Sequence, residues 1–219
     1  MSRFLKVVPL FLLGLIVGCS DGESYEADPA EAEEAVMSPA NNPELVADLE
    51  ATQEVLVMAV SDASPDQWTF RENDDRWNMS EVVEHLVITE NMFYEMLTGQ
   101  VFAAEPMPVA SDDQTEEDSG IAMFIRDRSQ TFQAPEPAQP TGMYATPDDA
   151  VAAFMEARNR TITFVATTDL DLRAYSAAIP GTDTAPMDGH QWFIFVSGHS
   201  ARHTDQIEQI KADPGFPTD

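Results

Sequence analysis

The sequence contains few basic residues and a single cysteine. Of its 219 residues, 11 are lysine or arginine and 39 are aspartate or glutamate, which gives a formal net charge of −28. This balance argues against nucleic-acid binding, because contacts to phosphate require lysine and arginine. With Cys19 as its one cysteine, the body that follows has no disulfide, no cysteine metal ligand and no catalytic thiol.

Several motifs of known chemistry are missing as well. The sequence has no internal repeat, no glycine-rich phosphate loop, no GxSxG and no HExxH. These absences give no support to P-loop nucleotide chemistry, to the nucleophile elbow of α/β-hydrolases or to the single-helix zinc site of metalloproteases. Histidine is also scarce, with four in the chain, so the position of each one in the predicted fold is informative.

The N-terminal segment MSRFLKVVPLFLLGLIVGCS has the features of a secretory signal. A short basic start precedes an apolar run over residues 7–17, which is too short to span a bilayer as a permanent helix. Its end, IVGC, resembles the bacterial lipobox. The resemblance implies that residues 1–18 are a lipoprotein signal peptide and that Cys19 is acylated as the mature N-terminus. An ordinary secretory signal with a chance cysteine, or an uncleaved anchor, is the alternative.

The lipobox predicts where the protein resides and how it is attached. We expect a lipid anchor in the bacterial cell envelope, and Ser20 after the cysteine favours the outer membrane of a Gram-negative cell. Residues 21–42 carry seven acids and no base. Because such a composition buries too little apolar surface to order itself, we predict a disordered acidic tether over residues 19–42.

The remaining chain has helical periodicity in four segments. They predict an all-α fold, a four-helix bundle with long connections over residues 43–217. The predicted helices cover about 43–63, 78–99, 146–168 and 188–212, with N-caps at Asn42, at Asn78 or Ser80, at Thr146 and at Asp188. A loop is predicted over 64–77, and Gly99 is expected to close the second helix. In the acidic connection 100–143, residues 120–132 are predicted as a short helix or an extended piece.

Two histidines share one face of the predicted fourth helix. His199 and His203 are four residues apart, which places their Cβ atoms within about 6 Å of each other. Two imidazoles hold a metal weakly, and a third ligand usually comes from elsewhere in the fold. His85 is the candidate, because its spacing from Val82 directs it to the core. His190 falls on roughly the opposite face. The alternative is that these are hydrogen-bonded core histidines without a metal.

Two stretches of the chain resemble the DinB-like family, also called DinB/YfiT-like. The stretch SPDQWTFRENDDRWNMSEVVEHLVITENMF is similar to the family's second helix, and GHSARHTDQIEQIKADPGFP is similar to its terminal helix. The matching residues are Trp77, Glu81, His85, His199, His203, Gln206 and Ile207. The resemblance covers about 43–217. It implies a four-helix bundle that binds a divalent metal, with zinc and nickel the usual candidates, through His85, His199 and His203.

The resemblance also limits the chemistry. Characterised relatives include thiol-dependent S-transferases, which use bacillithiol or mycothiol, and a mycothiol-dependent isomerase. Those thiols are cytoplasmic, whereas the lipobox predicts an envelope protein. The first hypothesis is therefore a metal-dependent hydrolase or transferase acting on an unknown small molecule. The second is a non-catalytic metal-binding or interaction lipoprotein. The oligomeric state stays open, with a homodimer among the alternatives.

The sequence also predicts where three polar residues close to the histidines in the chain will lie. Glu81 lies one turn before His85, where it could orient the imidazole or act as a base. The alternative is that Glu81 is the N3 acid of the helix cap. Glu84 is expected to be rotated away from the site and solvated. Gln206, three residues after His203, is expected to flank the pocket.

Overall fold

The computed structural model describes residues 40–110, 113–129 and 132–218, so the predicted signal peptide and nearly all of the tether lie outside the described residues. The helices are α1 (Pro43–Val60), α2 (Pro65–Thr69), α3 (Met79–Met96), α4 (Gln114–Arg126), α5 (Pro147–Thr167) and α6 (Gly189–Lys211). A π-helical turn follows α3 over Leu97–Val101, and 3-10 turns cover Glu136–Ala138 and Leu172–Ala174. Of the helices described, none is both long and apolar enough to span a membrane.

Four long helices form the bundle. Helix α1 packs against α5 and α6, and α3 packs against the same two helices. Helix α4 lies on the outside of α6. Two short strands, β1 (Ser176–Ala177) and β2 (Met187–Asp188), pair antiparallel just before α6 begins. The prediction of an all-α four-helix bundle is confirmed.

The N-caps of three bundle helices agree with the sequence prediction. Asn78 caps α3 in a capping box, Thr146 caps α5, and Asp188 caps α6 in a second capping box. Asn42 occupies the predicted N-cap position of α1, but its side chain makes no capping hydrogen bond. It adopts φ 50°, a left-handed conformation that asparagine tolerates, and its side-chain amide donates instead to the carbonyl oxygen of Val165 at 3.0 Å. Asn42 therefore ties the start of α1 to the end of α5.

The connections hold more helix than the sequence predicted. Helix α2 lies inside the predicted loop 64–77, where Ser64 forms a capping box and Trp68 is 1% exposed. Helix α4 begins six residues before the predicted segment 120–132. Gly99 does not close α3. The helix passes into the π-helical turn instead, and Leu97 at the start of this turn and Phe102 just after it both belong to the core.

The core is divided into two apolar clusters along the bundle. The first surrounds the aromatic half of α6, where the stretch WFIFV supplies Trp192, Phe193, Phe195 and Val196. The second lies near the opposite end of the helix and includes Trp68, Leu86, Phe154, Ile207 and Ile210. On α6, His199 and His203 lie between Val196 of the first cluster and Ile207 of the second. The bundle thus places the histidines where the two clusters meet.

Candidate metal centre

Three histidines from two facing helices converge in the bundle. His85 comes from α3, and His199 and His203 come from α6. One ring nitrogen from each histidine lies within 4.8 Å of those of the other two. The ring centroids are 5.2 Å apart for His85 and His199, 4.8 Å for His85 and His203, and 4.6 Å for His199 and His203. His85 and His203 are buried, whereas His199 is half-buried.

The fourth histidine lies in a different environment. His190 is in the first turn of α6, where its Nδ1 is 3.0 Å from a guanidinium nitrogen of Arg173. Asp118 of α4 is the nearest carboxylate, at 3.5 Å. The structure thus brings together the three histidines that the sequence selected and keeps His190 apart from them.

Two neutral acceptors orient two of the imidazoles. The Nδ1 of His85 is 2.8 Å from the carbonyl oxygen of Ala138, and the Nδ1 of His203 is 2.9 Å from Oε1 of Gln206. Since both acceptors are oxygens, each Nδ1 carries the proton, and each Nε2 keeps its lone pair for the centre. Gln206 therefore lies directly against the cluster. Ala138 was not found from the sequence, because it belongs to the long connection that folds back over α3.

Burial keeps the three imidazoles neutral. Burial, with a smaller contribution from the nearby His85, lowers the pKa of His203 to about 3. Burial also lowers the pKa of His199 well below its ordinary value, with contributions from His203 and His85. The pKa of His85 is lowered by burial too, although its hydrogen bond to Ala138 opposes the shift. Neutral imidazole is the form that binds metal, so the cluster is prepared for ligation at neutral pH.

Aromatic side chains surround the cluster. The indole of Trp77 lies 5.0 Å from the His85 ring. Phe93 meets the His199 ring edge-on at 5.8 Å, and Phe195 stacks on the same ring at 6.2 Å. These rings fix the orientation of the imidazoles and surround them with a low dielectric, which strengthens any interaction with an ion.

The donor set fits a metal ion that prefers nitrogen ligands. Three neutral imidazoles supply three ligand atoms, and a tetrahedral metal would keep a fourth position for water or substrate. Two of the three rings already have the outward hydrogen bond that histidine ligands usually make. The arrangement therefore matches the ligand set of a catalytic metal site more closely than that of a structural one, in which all four ligands are protein side chains.

Glu84 holds the long connection against α3. The prediction that it is solvated is wrong, since the residue is 0% exposed. Its two carboxylate oxygens accept hydrogen bonds from the backbone N–H groups of Thr141, Gly142 and Met143 and from the Thr141 hydroxyl, at 2.7–2.9 Å. These four donors replace the water that the carboxylate loses on burial. Gly142 has φ 82°, a conformation that glycine adopts without strain and that the loop needs to turn its N–H groups inward.

The same contacts determine the charge of Glu84. Burial alone would raise its pKa, but the hydrogen bonds from Thr141, Met143 and Gly142 outweigh burial and hold the pKa below its ordinary value. An ionised Glu84 thus anchors residues 141–143, three residues beyond the Ala138 carbonyl that orients His85. The only sequence signal for this role is an acid in the middle of the apolar run VVEHLVI.

Glu81 lies in the cap of α3. One carboxylate oxygen accepts from the backbone N–H of Asn78 at 3.0 Å, and the other pairs with the Arg71 guanidinium. Neither contact reaches a histidine. The structure places Glu81 in the capping position that the sequence offered as the alternative, and its role as a base stays a prediction.

A second buried polar group lies close to the histidines. Arg158 of α5 and Glu90 of α3 form a two-pronged ion pair with both nitrogen–oxygen distances at 2.9 Å. Arg158 also donates to the Ser200 hydroxyl at 2.6 Å, and the Thr161 hydroxyl donates to Glu90 at 2.8 Å. Both charged side chains are almost fully buried. The pairing of Arg158 with Glu90 could not be identified from the sequence.

Two surface cavities lie away from the histidine cluster. One is lined by residues of the π-helical turn and β1, among them Gln100, Val101 and Tyr175. The other is an acidic hollow at the start of α4, lined by Asp113, Glu116 and others. No histidine lines either of these two cavities.

Comparison with known proteins identifies related chains. A family model of the DinB superfamily matches residues 48–207, a range that contains His85, His199 and His203. The solved structure of YfiT from Bacillus subtilis, described as a probable metal-dependent hydrolase with an unusual four-helix bundle topology, superposes with a TM-score of 0.51. The two sequences are 18% identical over 80% of this chain and 87% of that chain, which shows a shared fold. No curated protein matches the chain.

Proposed function

The chain belongs to the DinB superfamily, and on that premise we propose that it is a metal-dependent enzyme whose centre is His85, His199 and His203. The observation that carries the proposal is the convergence of three ligand nitrogens within 4.8 Å of one another. We propose zinc or nickel as the metal, because both accept imidazole ligands. Hydrolysis is the reaction we place first, since YfiT is described as a probable metal-dependent hydrolase.

The protein side chains would prepare the centre for this chemistry. A divalent metal, when bound, supplies Lewis-acid activation of water and lowers its pKa to about 7. Ala138 and Gln206 hold the Nδ1 protons of His85 and His203, so that both Nε2 atoms face the centre. Trp77 and the neighbouring phenylalanines limit the access of bulk water. The substrate is an unidentified small molecule.

We further propose a lipid anchor at Cys19 and a place in the bacterial cell envelope, at the outer membrane of a Gram-negative cell. The support is the lipobox-like IVGC and the Ser20 that follows it. Metabolic labelling with a fatty acid tests this proposal. We expect the label on the wild-type protein and none on Cys19→Ala. A Cys19→Ala variant that stays labelled and membrane-bound would contradict it.

The envelope location favours hydrolysis over thiol transfer. Low-molecular-weight thiols are cytoplasmic, and the body of the protein has no cysteine that could replace them. A transferase that uses such a thiol would lack its co-substrate outside the cytoplasm. Measuring turnover with and without an added thiol tests this point, since a hydrolase needs no thiol.

A substrate screen tests the proposed reaction. Protein reconstituted with zinc or nickel is assayed against small esters, amides and phosphoesters, with and without added thiol. We expect turnover that is lost on chelation and in His199→Ala, and that is retained in His190→Ala, whose side chain lies against Arg173 instead. Turnover that survives both chelation and His199→Ala would refute a metal-dependent enzyme.

A non-catalytic metal-binding lipoprotein is the second candidate. The observation in its favour is that two surface cavities, one beside the π-helical turn and one at the start of α4, have no histidine in their lining. This candidate predicts one bound metal ion and no turnover in the same screen. The metal-dependent enzyme predicts a bound metal ion together with turnover.

A further inference from the structure

The aromatic rings of the bundle differ in how much of their surface the fold encloses. Several core rings are 0–1% exposed, among them Trp68, Phe154, Trp192 and Phe193. Trp77 and Phe93, which lie against the histidine centre, are only half-buried. His199 is half-buried as well. Each of these three rings therefore keeps part of its surface available to a ligand.

The half-buried rings and two of the histidines form one continuous row. Between ring centroids, Trp77 lies 5.0 Å from His85, His85 lies 5.2 Å from His199, and His199 lies 5.8 Å from Phe93. Trp77 belongs to the loop before α3, and Phe93 belongs to the C-terminal half of that helix. This aromatic row thus begins and ends with an apolar ring and has two candidate metal ligands in its middle.

Core side chains hold one end of the aromatic row in place. Phe93 meets Phe195 edge-on at 5.7 Å and lies tilted against Trp192 at 5.9 Å. Phe195 is 6% exposed and Trp192 is 0% exposed, so both belong to the rigid interior. A ring that is fixed on one side and exposed on the other loses little conformational freedom when a ligand packs against it.

The ionisable side chains that neighbour the ligands in the chain have partners of their own. Before His85, the Glu81 carboxylate pairs with Arg71, and the Glu84 carboxylate accepts from backbone N–H groups. On α6, Arg202 donates to backbone carbonyl oxygens at the end of α4, and Asp205 lies 3.8 Å from a guanidinium nitrogen of Arg126. The groups in direct ring contact with the imidazoles are hydrocarbon.

We propose that Trp77 and Phe93 form an apolar subsite of the histidine centre, and that the substrate carries an uncharged aryl group that packs against them. The inference rests on the proposed function. Small-molecule sites usually combine an apolar lining with a few polar groups that fix the reacting end of the ligand. Here the metal ligands would fix the reacting end, and the two rings would select the group attached to it.

Physical chemistry favours an aryl group over a charged one at this position. Aromatic rings attract one another in edge-to-face and offset-stacked arrangements, beyond the gain from burying their surface. A charged group placed against Trp77 and Phe93 would lose water and gain no hydrogen-bond partner from them. The rings therefore discriminate by what they fail to offer a charge as well as by what they offer an aryl group.

Binding of simple hydroxamates to the full-length, metal-loaded protein tests the subsite. Hydroxamates bind metal ions through their oxygens, so the probes share that group and differ in what is attached to it. The probes are acetohydroxamate, which carries a methyl group, benzohydroxamate, which carries a phenyl group, and succinic monohydroxamate, which carries a carboxylate. Calorimetry measures the Kd of each. We expect benzohydroxamate to bind roughly tenfold or more tightly than the other two.

The preference for benzohydroxamate over acetohydroxamate is the readout for the rings, because a change at the metal alters both affinities together. Phe93→Leu keeps an apolar side chain and should lower this preference roughly two- to tenfold. Trp77→Leu, at the other end of the aromatic row, gives a second test and should lower it as well. Tyr94→Leu is the matched control. Tyr94 is next to Phe93 on α3, but its ring lies under Arg160 of α5 at 4.2 Å, so the preference should stay as in wild type.

The outcomes separate this inference from the proposed function, provided that metal content is measured first on every variant. Three results with a metal-loaded protein would overturn the subsite alone. They are equal affinities for acetohydroxamate and benzohydroxamate, tighter binding of succinic monohydroxamate than of benzohydroxamate, and the same preference in Phe93→Leu and Tyr94→Leu. A wild-type protein that holds no metal, or that holds metal and binds none of the hydroxamates, would overturn the proposed enzyme and the subsite with it.

Discussion

Two buried polar groups connect α3 with the other bundle helices, and they differ in one respect. In the Arg158–Glu90 pair, opposite charges meet at 2.9 Å, and neighbouring hydroxyls together with the Leu49 carbonyl provide their other hydrogen-bond partners. In the histidine cluster, three neutral rings face one another, and one nitrogen of each ring lies within 4.8 Å of the others. In the ion pair, each charge is balanced by a side chain of the protein itself. The cluster instead brings together one ring nitrogen from each of three histidines.

The difference separates a structural role from a functional one. A buried charge needs a partner, and Arg158 has Glu90, so the pair is explained by the fold. Three imidazoles with ring nitrogens within 4.8 Å of one another can share one metal ion. The ion pair joins α3 to α5, whereas the histidine cluster joins α3 to α6. We therefore expect changes in one group to leave the other intact, and the following experiments test that separation.

Removal of the buried guanidinium should have the largest effect on stability. Arg158→Met leaves the Glu90 carboxylate buried without its partner, which is expected to lower the free energy of unfolding by about 3–5 kcal/mol. The metal content should not change, because Arg158 contacts no histidine. Urea unfolding measures the first quantity and elemental analysis the second. Arg160→Met, at an exposed position on the same helix, should lower the free energy by less than about 1 kcal/mol. Equal losses in the two variants would show that the pair is not structural.

Metal should stabilise the fold through the histidines alone. At a free metal concentration 100 times the Kd, the free energy of unfolding is expected to rise by about 2.7 kcal/mol. His203→Ala should abolish this increase, and His190→Ala should retain it because His190 lies against Arg173. Thermal or urea unfolding with and without zinc gives the comparison. A metal-dependent increase that persists in His203→Ala would place the ion outside the cluster.

Glu84 connects the two roles, because its ionised carboxylate fixes the loop that orients His85. Glu84→Gln replaces an acceptor with a donor facing backbone N–H groups, and should lower the free energy of unfolding by about 1–3 kcal/mol at neutral pH. Glu95→Gln, an exposed change on the same helix, is the control.

The effect of Glu84 should depend on pH in a defined direction. Its folded-state pKa lies below the ordinary value of 4.5. The ionised carboxylate therefore stabilises the fold fully above 4.5, and this contribution is lost as the pH falls through the folded-state pKa. The difference between wild type and Glu84→Gln should shrink in acid. A difference that grows below pH 4.5 would show that the folded-state pKa is raised.

The smallest expected effect comes from removing the hydrogen bond between Gln206 and the Nδ1 of His203. Gln206→Ala removes the acceptor for Nδ1 of His203 and should weaken metal binding about tenfold with little change in unfolding free energy. Gln209→Ala, one turn further along α6, should leave metal affinity unchanged. Competition with a metal chromophore measures both. Equal affinities in the two variants would show that Gln206 does not orient the ligand.

The sequence could predict what depends on local spacing. The capping box of Asn78, the interval between His199 and His203, and the apolar stretch of α6 are local patterns, and the structure agrees with each. The inward direction of His85 followed from its spacing from Val82. The combination of these patterns was sufficient to propose three ligands from two helices.

The remaining features depend on contacts between distant residues. Ala138 meets His85 across 53 positions, and Glu84 meets residues 141–143 across 57–59 positions. No periodicity in an acidic, proline-containing connection indicates that it folds back on α3. Glu84 looked solvated because an isolated acid usually is, and only the folded loop supplies the four donors that bury it. Asn42 likewise has the sequence of a cap, but a tertiary contact with Val165 determines its conformation.

Metal stoichiometry tests the central claim most directly. Full-length wild type, His199→Ala and His190→Ala are purified without chelator, offered zinc and nickel separately, dialysed and analysed for bound metal. The histidine cluster predicts about one equivalent in wild type and in His190→Ala, and less than about a tenth of an equivalent in His199→Ala. Less than about a tenth of an equivalent in wild type with both metals, or an unchanged content in His199→Ala, would contradict it.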